Sequence, residues 1–270
     1  MPPRRYIGLI GTSRLLPPAS PARELDGLLP QDTVFVAYPS RVGVFPSTPV
    51  ERLMQDVGHC DAALTAEAEG CSAAVIDSLG DYGIDAMRAA LTIPVAGAGE
   101  AGMAAASRNG RRFALVTVWP ASMNFIPEHL LRRHEIQAQC IAIYNVGTEE
   151  VLDRLSGPGG YLADVREGRA AVMARITDAI AAAAAAGAEA VLLGCTCMSP
   201  IAAALAASSP IPVINPLEEA VRAALAAKPP ARPYLREGRT TLVRAMVDAV
   251  ADQPVEDCEV CIFEEETSSL

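Results

Sequence analysis

Short apolar runs alternate with longer segments of helical periodicity along most of the chain. The runs are bounded by Gly, Pro, Ser or Asp, which is typical of buried parallel strands. We therefore predict strands at 7–11, 33–38, 72–78, 93–99, 113–118, 139–144, 190–193 and 211–216.

Between these runs, apolar residues recur at helical spacing. We predict helices at 49–70, 83–91, 100–110, 121–135, 148–155, 162–187, after Ser199, and at 217–227 and 239–250. Ser47 or Thr48 should cap the first helix, and Ser199 should cap the helix that begins at Pro200. Alternating strands and helices predict parallel βαβ units, and therefore the α/β class.

The second half of the chain repeats the pattern of the first. Tyr38 corresponds to Tyr144, Ile93-Pro94-Val95 to Ile211-Pro212-Val213, and Ser78 to Cys195. The alternative is that any α/β protein has strands at regular spacing. The matching IPV segments favour a true repeat, and hence two pseudo-symmetric lobes, each a four-stranded parallel sheet flanked by helices. We predict an N-terminal lobe (1–110 with 215–227), a C-terminal lobe (111–214) and a C-terminal extension (228–270).

Charge and cysteine content narrow the function class. The net charge is −10 and no basic block is present, so nucleic acid is not an expected partner. No stretch is apolar enough to predict a membrane span. Seven cysteines without a signal peptide predict reduced thiols and a cytoplasmic protein. Cys258 and Cys261 form a CxxC without two further ligands nearby, so we predict no metal site.

Cys195 is the candidate for chemistry. It lies between a predicted strand end and a helix start, where unpaired backbone N–H groups favour a thiolate. We therefore expect its pKa to lie below the ~8.5 of a free cysteine. The alternative is a buried cysteine acting as a small apolar residue. Cys197 is expected to be buried in the turn, although a CxC pair could oxidise.

The carboxyl ends of four strands should meet in the crevice between the lobes, where α/β proteins bind ligands. Their hydroxyls and N–H groups suit a carboxylate or an enolate-like anion. Helix capping, turn formation and core packing are the alternatives, and Arg41 could equally be a surface arginine. His59, His129 and His134 should face solvent or cap helices. The candidate substrate-binding residues are Thr12, Ser13, Thr117, Trp119, Thr196 and Arg41.

Four segments resemble the aspartate/glutamate/hydantoin racemase superfamily over roughly residues 6–226. They are GCT (194–196), DYGIDAMRAALTIPVAGAGEAGM (81–103), GRRFALVTV (110–118) and IPVIN (211–215). The segment 81–103 is most similar to hydantoin racemases. GLIGTS (8–13) and the Val-Thr-Val-Trp turn (116–119) are similar to the arylmalonate decarboxylase and maleate isomerase branch.

The resemblance implies an enzyme without a cofactor, in which two cysteines face each other across the substrate carbon. Cys195 matches the second cysteine, and Ser78 stands where the first should be. A serine hydroxyl is far less acidic than a thiol, and Asp81 is the nearby carboxyl group that could stand in. We therefore expect Cys195 and Ser78 to be the catalytic residues.

The expected activity is that of a racemase or epimerase acting next to a carboxylate or carbonyl. The substrate would be a small carboxylate, such as an amino acid, or a hydantoin-like compound. The alternatives are a decarboxylase or cis–trans isomerase that uses Cys195 alone, or a ligand-binding homologue without catalysis. We also expect a homo-oligomer, with segment 228–270 packing on a neighbouring subunit or covering the core.

Overall fold

Two four-stranded parallel sheets form the framework of the protein. The computed structural model describes residues 4–11, 20–42, 44–155, 160–230 and 240–251. The first sheet contains β1 (Arg5–Ile10), β2 (Thr33–Tyr38), β3 (Ala73–Ile76) and β4 (Val95–Gly97), in the order β2-β1-β3-β4. The second contains β5 (Phe113–Thr117), β6 (Cys140–Asn145), β7 (Ala190–Leu193) and β8 (Val213–Ile214), in the order β6-β5-β7-β8. The matching orders confirm the predicted two-lobed α/β fold.

Helices cover the sheets and connect the strands. They are α1 (Pro49–Ala68), α2 (Ile84–Ala90), α3 (Ala98–Ala106), α4 (Phe125–Arg133), α5 (Tyr161–Arg166), α6 (Ala170–Ala185), α7 (Ala202–Ser208), α8 (Pro216–Ala226) and α9 (Thr240–Ala251). Among these described elements, none is long and apolar enough to cross a bilayer.

An apolar cluster joins the two sheets. Met103 on α3 packs in one buried group with Leu115 and Leu192 of the second sheet. Gly102 makes this approach possible, because a Cβ there would lie 2.8 Å from Leu192 Cδ1. Burial of these side chains drives the packing. It therefore packs α3, which follows the first sheet, against the second sheet.

Helix α1 begins as predicted. The Thr48 hydroxyl accepts the Glu51 N–H, while the Glu51 carboxylate accepts the Thr48 N–H. This capping box satisfies two N–H groups that would otherwise have no partner at the helix start.

The prediction that Ser199 caps a helix beginning at Pro200 is wrong. Instead, Cys195 caps a 3₁₀ turn over Thr196–Ile201, and α7 starts only at Ala202. The Ser199 hydroxyl accepts a hydrogen bond of 2.9 Å from Asn215 Nδ2. The side chain is therefore used by a neighbouring segment, and the turn starts directly at the end of β7.

The helix predicted over 162–187 is divided. Helix α5 ends at Arg166 and α6 begins at Ala170. Gly168 lies between them with φ of +66°, a conformation that a helix interior does not allow.

The last two helices belong to different parts of the surface. Helix α8 follows the second sheet but packs on α3, β3 and β4 of the first. Helix α9 packs on α1 and confirms the helix predicted at 239–250. The lobe boundaries that we gave from the sequence stay a prediction, and Cys258 and Cys261 lie outside the described residues.

Candidate functional site

A cavity of about 150 Å³ lies at the carboxyl ends of the strands, between the two lobes. The first lobe contributes Gly11 and the segment 77–80, and the second contributes Thr117 and the segment 194–197. This is the crevice in which parallel α/β folds bind ligands. The predicted meeting of strand ends therefore occurs.

Cys195 lies on the second-lobe side of this cavity. It lies two residues after the end of β7, and its sulfur accepts the Cys197 N–H at 3.1 Å. In this structure a disulfide joins Cys195 to Cys197, with their Cα atoms 5.2 Å apart. Cys197 is buried, as predicted. A disulfide sulfur holds no proton, so acid or base chemistry at Cys195 requires the reduced pair.

Ser78 occupies the equivalent position in the first lobe, two residues after the end of β3. Its hydroxyl oxygen accepts the Gly80 N–H at 3.2 Å and is hydrogen-bonded to Tyr82. Burial raises the pKa of Tyr82 above its usual value, so its phenol stays protonated. The phenol can therefore donate to the Ser78 oxygen, which leaves the Ser78 hydrogen free for a developing anion.

Asp81 does not stand in for a second thiol. Its carboxylate accepts the N–H groups of Gly99, at 2.8 Å, and Glu100, at 2.6 Å, at the start of α3. Burial raises the pKa of Asp81 to about 7. The side chain thus caps a helix, and it is not among the described residues that line the cavity.

The predicted binding residues separate into three groups. Thr117, Trp119 and Thr196 line the cavity. The Thr117 hydroxyl donates to the Gly194 carbonyl at 3.3 Å, and the Thr196 hydroxyl donates to the Asp77 carbonyl at 3.1 Å. The second bond joins the two lobes beside the proposed catalytic positions.

Arg41 is not brought to the cavity. Its guanidinium pairs with the buried carboxylate of Asp61 at 3.0 Å and with Asp248 of α9 at 2.7 Å. Thr12 and Ser13 lie outside the described residues.

Trp119 forms an aromatic wall that both lobes share. Its ring centroid lies 5.1 Å from that of Phe45, in the loop after β2, and 6.4 Å from that of Tyr161 on α5. Such tilted and edge-on pairs add to the energy of burial. The cavity therefore has an apolar side suited to a hydrophobic substituent.

Sequence reasoning missed His59, which was expected to face solvent or cap a helix. The side chain is 3% exposed and lines the cavity from α1, 5.3 Å from Tyr82 between ring centroids. Burial lowers the pKa of His59 to about 4, so the imidazole is neutral. His59 lies four residues after Gln55 and four residues before the apolar residue Ala63. This helical spacing could have placed His59 on the buried face.

The part of the chain that the structure describes contains no group of three or more His, Cys, Asp or Glu side chains able to hold a metal ion. The described lining residues include the Cys195–Cys197 pair, the hydroxyls of Ser78, Thr117 and Thr196, and the neutral imidazole of His59.

Comparison with known proteins agrees with this geometry. The family model described as Asp/Glu/Hydantoin racemase matches residues 21–224. No curated protein sequence matches the chain.

Solved structures match over most of their length. Allantoin racemase from Klebsiella pneumoniae is 23% identical with a TM-score of 0.69, covering 82% of this chain and 86% of that one. Allantoin racemase from Pseudomonas fluorescens is 18% identical with a TM-score of 0.67, covering 85% and 94%. Glutamate racemase from Francisella tularensis, in complex with D-glutamate, is 17% identical with a TM-score of 0.54, covering 82% and 78%.

The family match spans most of the described fold and includes the ends of β3, β5 and β7 that line the cavity. The chain therefore belongs to the Asp/Glu/Hydantoin racemase family and is an isomerase of the racemase class.

Proposed function

We propose that this racemase acts without a cofactor on a hydantoin-like substrate, with Cys195 as the group that transfers the proton. The observation that carries the proposal is the position of Cys195. It is the N-cap of the turn after β7, at the edge of the cavity, where N–H groups favour its thiolate.

The reaction begins with the reduced pair. The Cys195 thiolate removes the proton from the carbon next to a carbonyl, and the C–H electron pair moves into an enolate. The thiol now carries that proton. Its return to the carbon restores the substrate. Delivery of a proton from solvent water to the opposite face gives the mirror-image product, and the Cys195 thiol then releases its proton to the hydroxide that remains.

Ser78 is proposed to stabilise the enolate from the other lobe. A hydroxyl with a pKa far above neutral is a weak base but an effective hydrogen-bond donor. This assigns proton transfer to Cys195 and anion binding to Ser78. Thr117 and Thr196 are proposed to orient the substrate through backbone groups that their hydroxyls hold in place.

The lining of the cavity supports a neutral cyclic substrate over an acidic amino acid. Among the described lining residues, the charged side chains are Asp77 and Arg166. An acidic amino acid brings two carboxylates, each of which needs donors or a cation. Two of the similar structures are named for allantoin, a substituted hydantoin.

An exchange experiment in D₂O tests the proposal. The reduced protein is incubated with a 5-substituted hydantoin, and the C5–H signal is followed by NMR. We expect exchange well above the rates without protein and with Cys195→Ala.

Other outcomes would identify the alternatives. Release of CO₂ from a substituted malonate without hydantoin exchange would indicate a decarboxylase. Stabilisation by the hydantoin without exchange would indicate a binding homologue. Exchange that is equal in the Cys195→Ala protein would remove Cys195 from the mechanism.

A further inference from the structure

Two buried side chains on α1 present hydrogen-bond acceptors without partners. In the described structure, Gln55 Oε1 and His59 Nε2 have no hydrogen-bond partner. The two residues are 6% and 3% exposed, are one helical turn apart, and both line the cavity. A buried acceptor without a partner loses its hydrogen bonds to water and gains none in return. Because both residues line one cavity, a ligand bound there can supply the donors that these two acceptors lack.

Neighbouring contacts fix both groups as acceptors. His59 Nδ1 lies 3.0 Å from the Gln55 backbone carbonyl. A carbonyl can only accept, so Nδ1 carries the hydrogen and Nε2 carries the lone pair. The Gln55 side-chain NH₂ donates to the Val44 carbonyl, which leaves Oε1 as the free end of the amide.

Gly11 provides the space for this imidazole. A Cβ at position 11 would overlap Nε2, and the backbone there has φ of +77°, which glycine adopts without strain. The ring also packs edge-on against Tyr82, the hydrogen-bond partner of Ser78. His59 is therefore held at the carboxyl end of β1, on the same side of the cavity as Ser78.

We propose that Gln55 Oε1 and His59 Nε2 are specificity-determining acceptors that bind N–H groups of the substrate. The ligand class is a cyclic ureide or imide, in which N–H groups flank the carbonyl groups. A carboxylate presents no donor to these atoms and would be repelled by their lone pairs. This inference rests on the proposed function for the reaction, but the binding it describes can be measured without turnover.

A pair of ring analogues tests which atom is recognised. A 5-substituted hydantoin and the matching oxazolidine-2,4-dione differ by exchange of one ring N–H for oxygen, with little change in size. The 3-methyl hydantoin removes the other N–H. Binding is measured by calorimetry on the reduced full-length Cys195→Ala protein, which cannot turn the ligand over through that thiol.

We expect the hydantoin to bind at least about tenfold more tightly than one or both analogues, since an analogue without the donor leaves a buried acceptor unpaired. His59→Leu and Gln55→Leu, each in the same background, should reduce this ratio towards one. His59→Gln, which keeps an acceptor, should retain more of the preference than His59→Leu.

His134 and Gln139 provide matched controls. His134 Nε2 and Gln139 Oε1 also have no partner in the described structure, but neither residue lines the cavity. His134→Leu and Gln139→Leu should leave the ratio unchanged. If the leucine variants of α1 do not fold, the analogue series on the Cys195→Ala protein and His59→Gln still decide the result.

The outcomes separate this inference from the proposed function. Exchange at C5 with equal binding of all three ligands, or with a preference that His59→Leu and Gln55→Leu leave unchanged, would overturn the inference alone. Selective binding of the N–H compound without exchange in the wild-type protein would support the inference and reject the reaction.

Discussion

The ends of β3 and β7 occupy the same place in two sheets of the same strand order, yet they carry different chemistry. After β7 the chain gives Cys195, whose sulfur accepts an N–H of the following turn. After β3 it gives Ser78, whose oxygen accepts the Gly80 N–H in the same manner. The backbone scaffold is therefore preserved while the acidity of the side chain is changed. Because Ser78 and Cys195 differ in acidity, the shared backbone geometry alone does not make the two sides of the cavity equivalent for proton transfer.

The helices that precede these strands differ as well. Helix α6, before β7, buries Val172, Ile176 and Ile180. Helix α1, before β3, buries Gln55, His59 and Asp61. The second lobe therefore combines Cys195 with a helix whose buried face is apolar, whereas the first combines Ser78 with a helix that buries polar as well as apolar side chains. We infer a division of labour in which one lobe moves the proton and the other holds the substrate.

Removal of the Cys195 thiol is the strongest test of this division. We expect Cys195→Ala to lower the exchange rate at least about 10³-fold, since Cys195 is the group proposed to take the proton. The control is Cys140→Ala on β6, outside the described cavity lining, which should leave the rate unchanged. Full activity in Cys195→Ala would contradict the mechanism.

Alkylation supplies a second measurement on the same residue. Burial raises the pKa of Cys60 and of Cys140 to about 11, and it also raises that of Cys71. After reduction, iodoacetamide should therefore label Cys195 before these three thiols. Slower labelling of Cys195 than of Cys140 would show that its turn does not stabilise a thiolate.

The disulfide makes the second-lobe site sensitive to redox state. Oxidised protein should lose nearly all exchange activity, and a dithiol reductant should restore it, because Cys195 regains its proton. Cys197→Ser should remove the need for the reductant and retain activity. Mass spectrometry checks the redox state of each sample. Equal activity of the oxidised and reduced wild-type protein would separate this pair from catalysis.

Buried His59 predicts a pH dependence of stability that comes from the first lobe. Its pKa is about 4 in the folded protein and ~6.5 in an unfolded chain. As the pH falls below 6.5, the unfolded chain binds a proton that folded His59 does not, so the contribution of His59 to the free energy of unfolding decreases. The full effect between pH 6.5 and 4 is about 3 kcal/mol.

Denaturant unfolding as a function of pH measures this contribution of His59 to the free energy of unfolding. We expect the difference between the curves of the wild-type protein and His59→Leu to change by this amount across that window. Ile176→Val on α6 should lower the free energy of unfolding by an amount that does not change with pH, because no titrating group is changed. An unchanged slope in His59→Leu would show that another group carries the effect.

Most of the fold could be predicted from the sequence, because alternating apolar runs reflect buried parallel strands that tertiary contacts do not override. The IPV repeat and the correspondence of Ser78 with Cys195 predicted how the strand ends meet. The cap at Ser199 could not be predicted, since Asn215, a distant residue, uses that hydroxyl. The position of Arg41 depends on a similar long-range partner, Asp248 on α9.

The acceptors of α1 were beyond the sequence for a related reason. The i+4 spacing can place His59 on the buried face of α1, but its position at the cavity depends on Gly11 and Tyr82, which come from other segments. Local sequence patterns therefore predicted the position of Cys195 at the cavity better than the positions of Gln55 and His59, which depend on contacts between distant segments.

Substitution of Ser78 has the smallest expected effect, but it tests the comparison of the β3 and β7 ends most directly. We expect Ser78→Ala to slow exchange about 10²-fold without abolishing it, the typical cost of one lost donor to an oxyanion.

Deuterium should enter the wild-type product mainly from the Cys195 face, so exchange should outpace inversion of configuration. Ser78→Cys should narrow that gap, because it gives the first lobe a thiol at the position equivalent to Cys195. Ser72→Ala, at the opposite end of β3, is the control and should change neither rate. Chiral chromatography combined with NMR measures both rates in one sample. Equal incorporation from the two faces in the wild-type protein would mean that Ser78 or a neighbour is a true second base, and the two strand ends would then be equivalent in chemistry as they are in position.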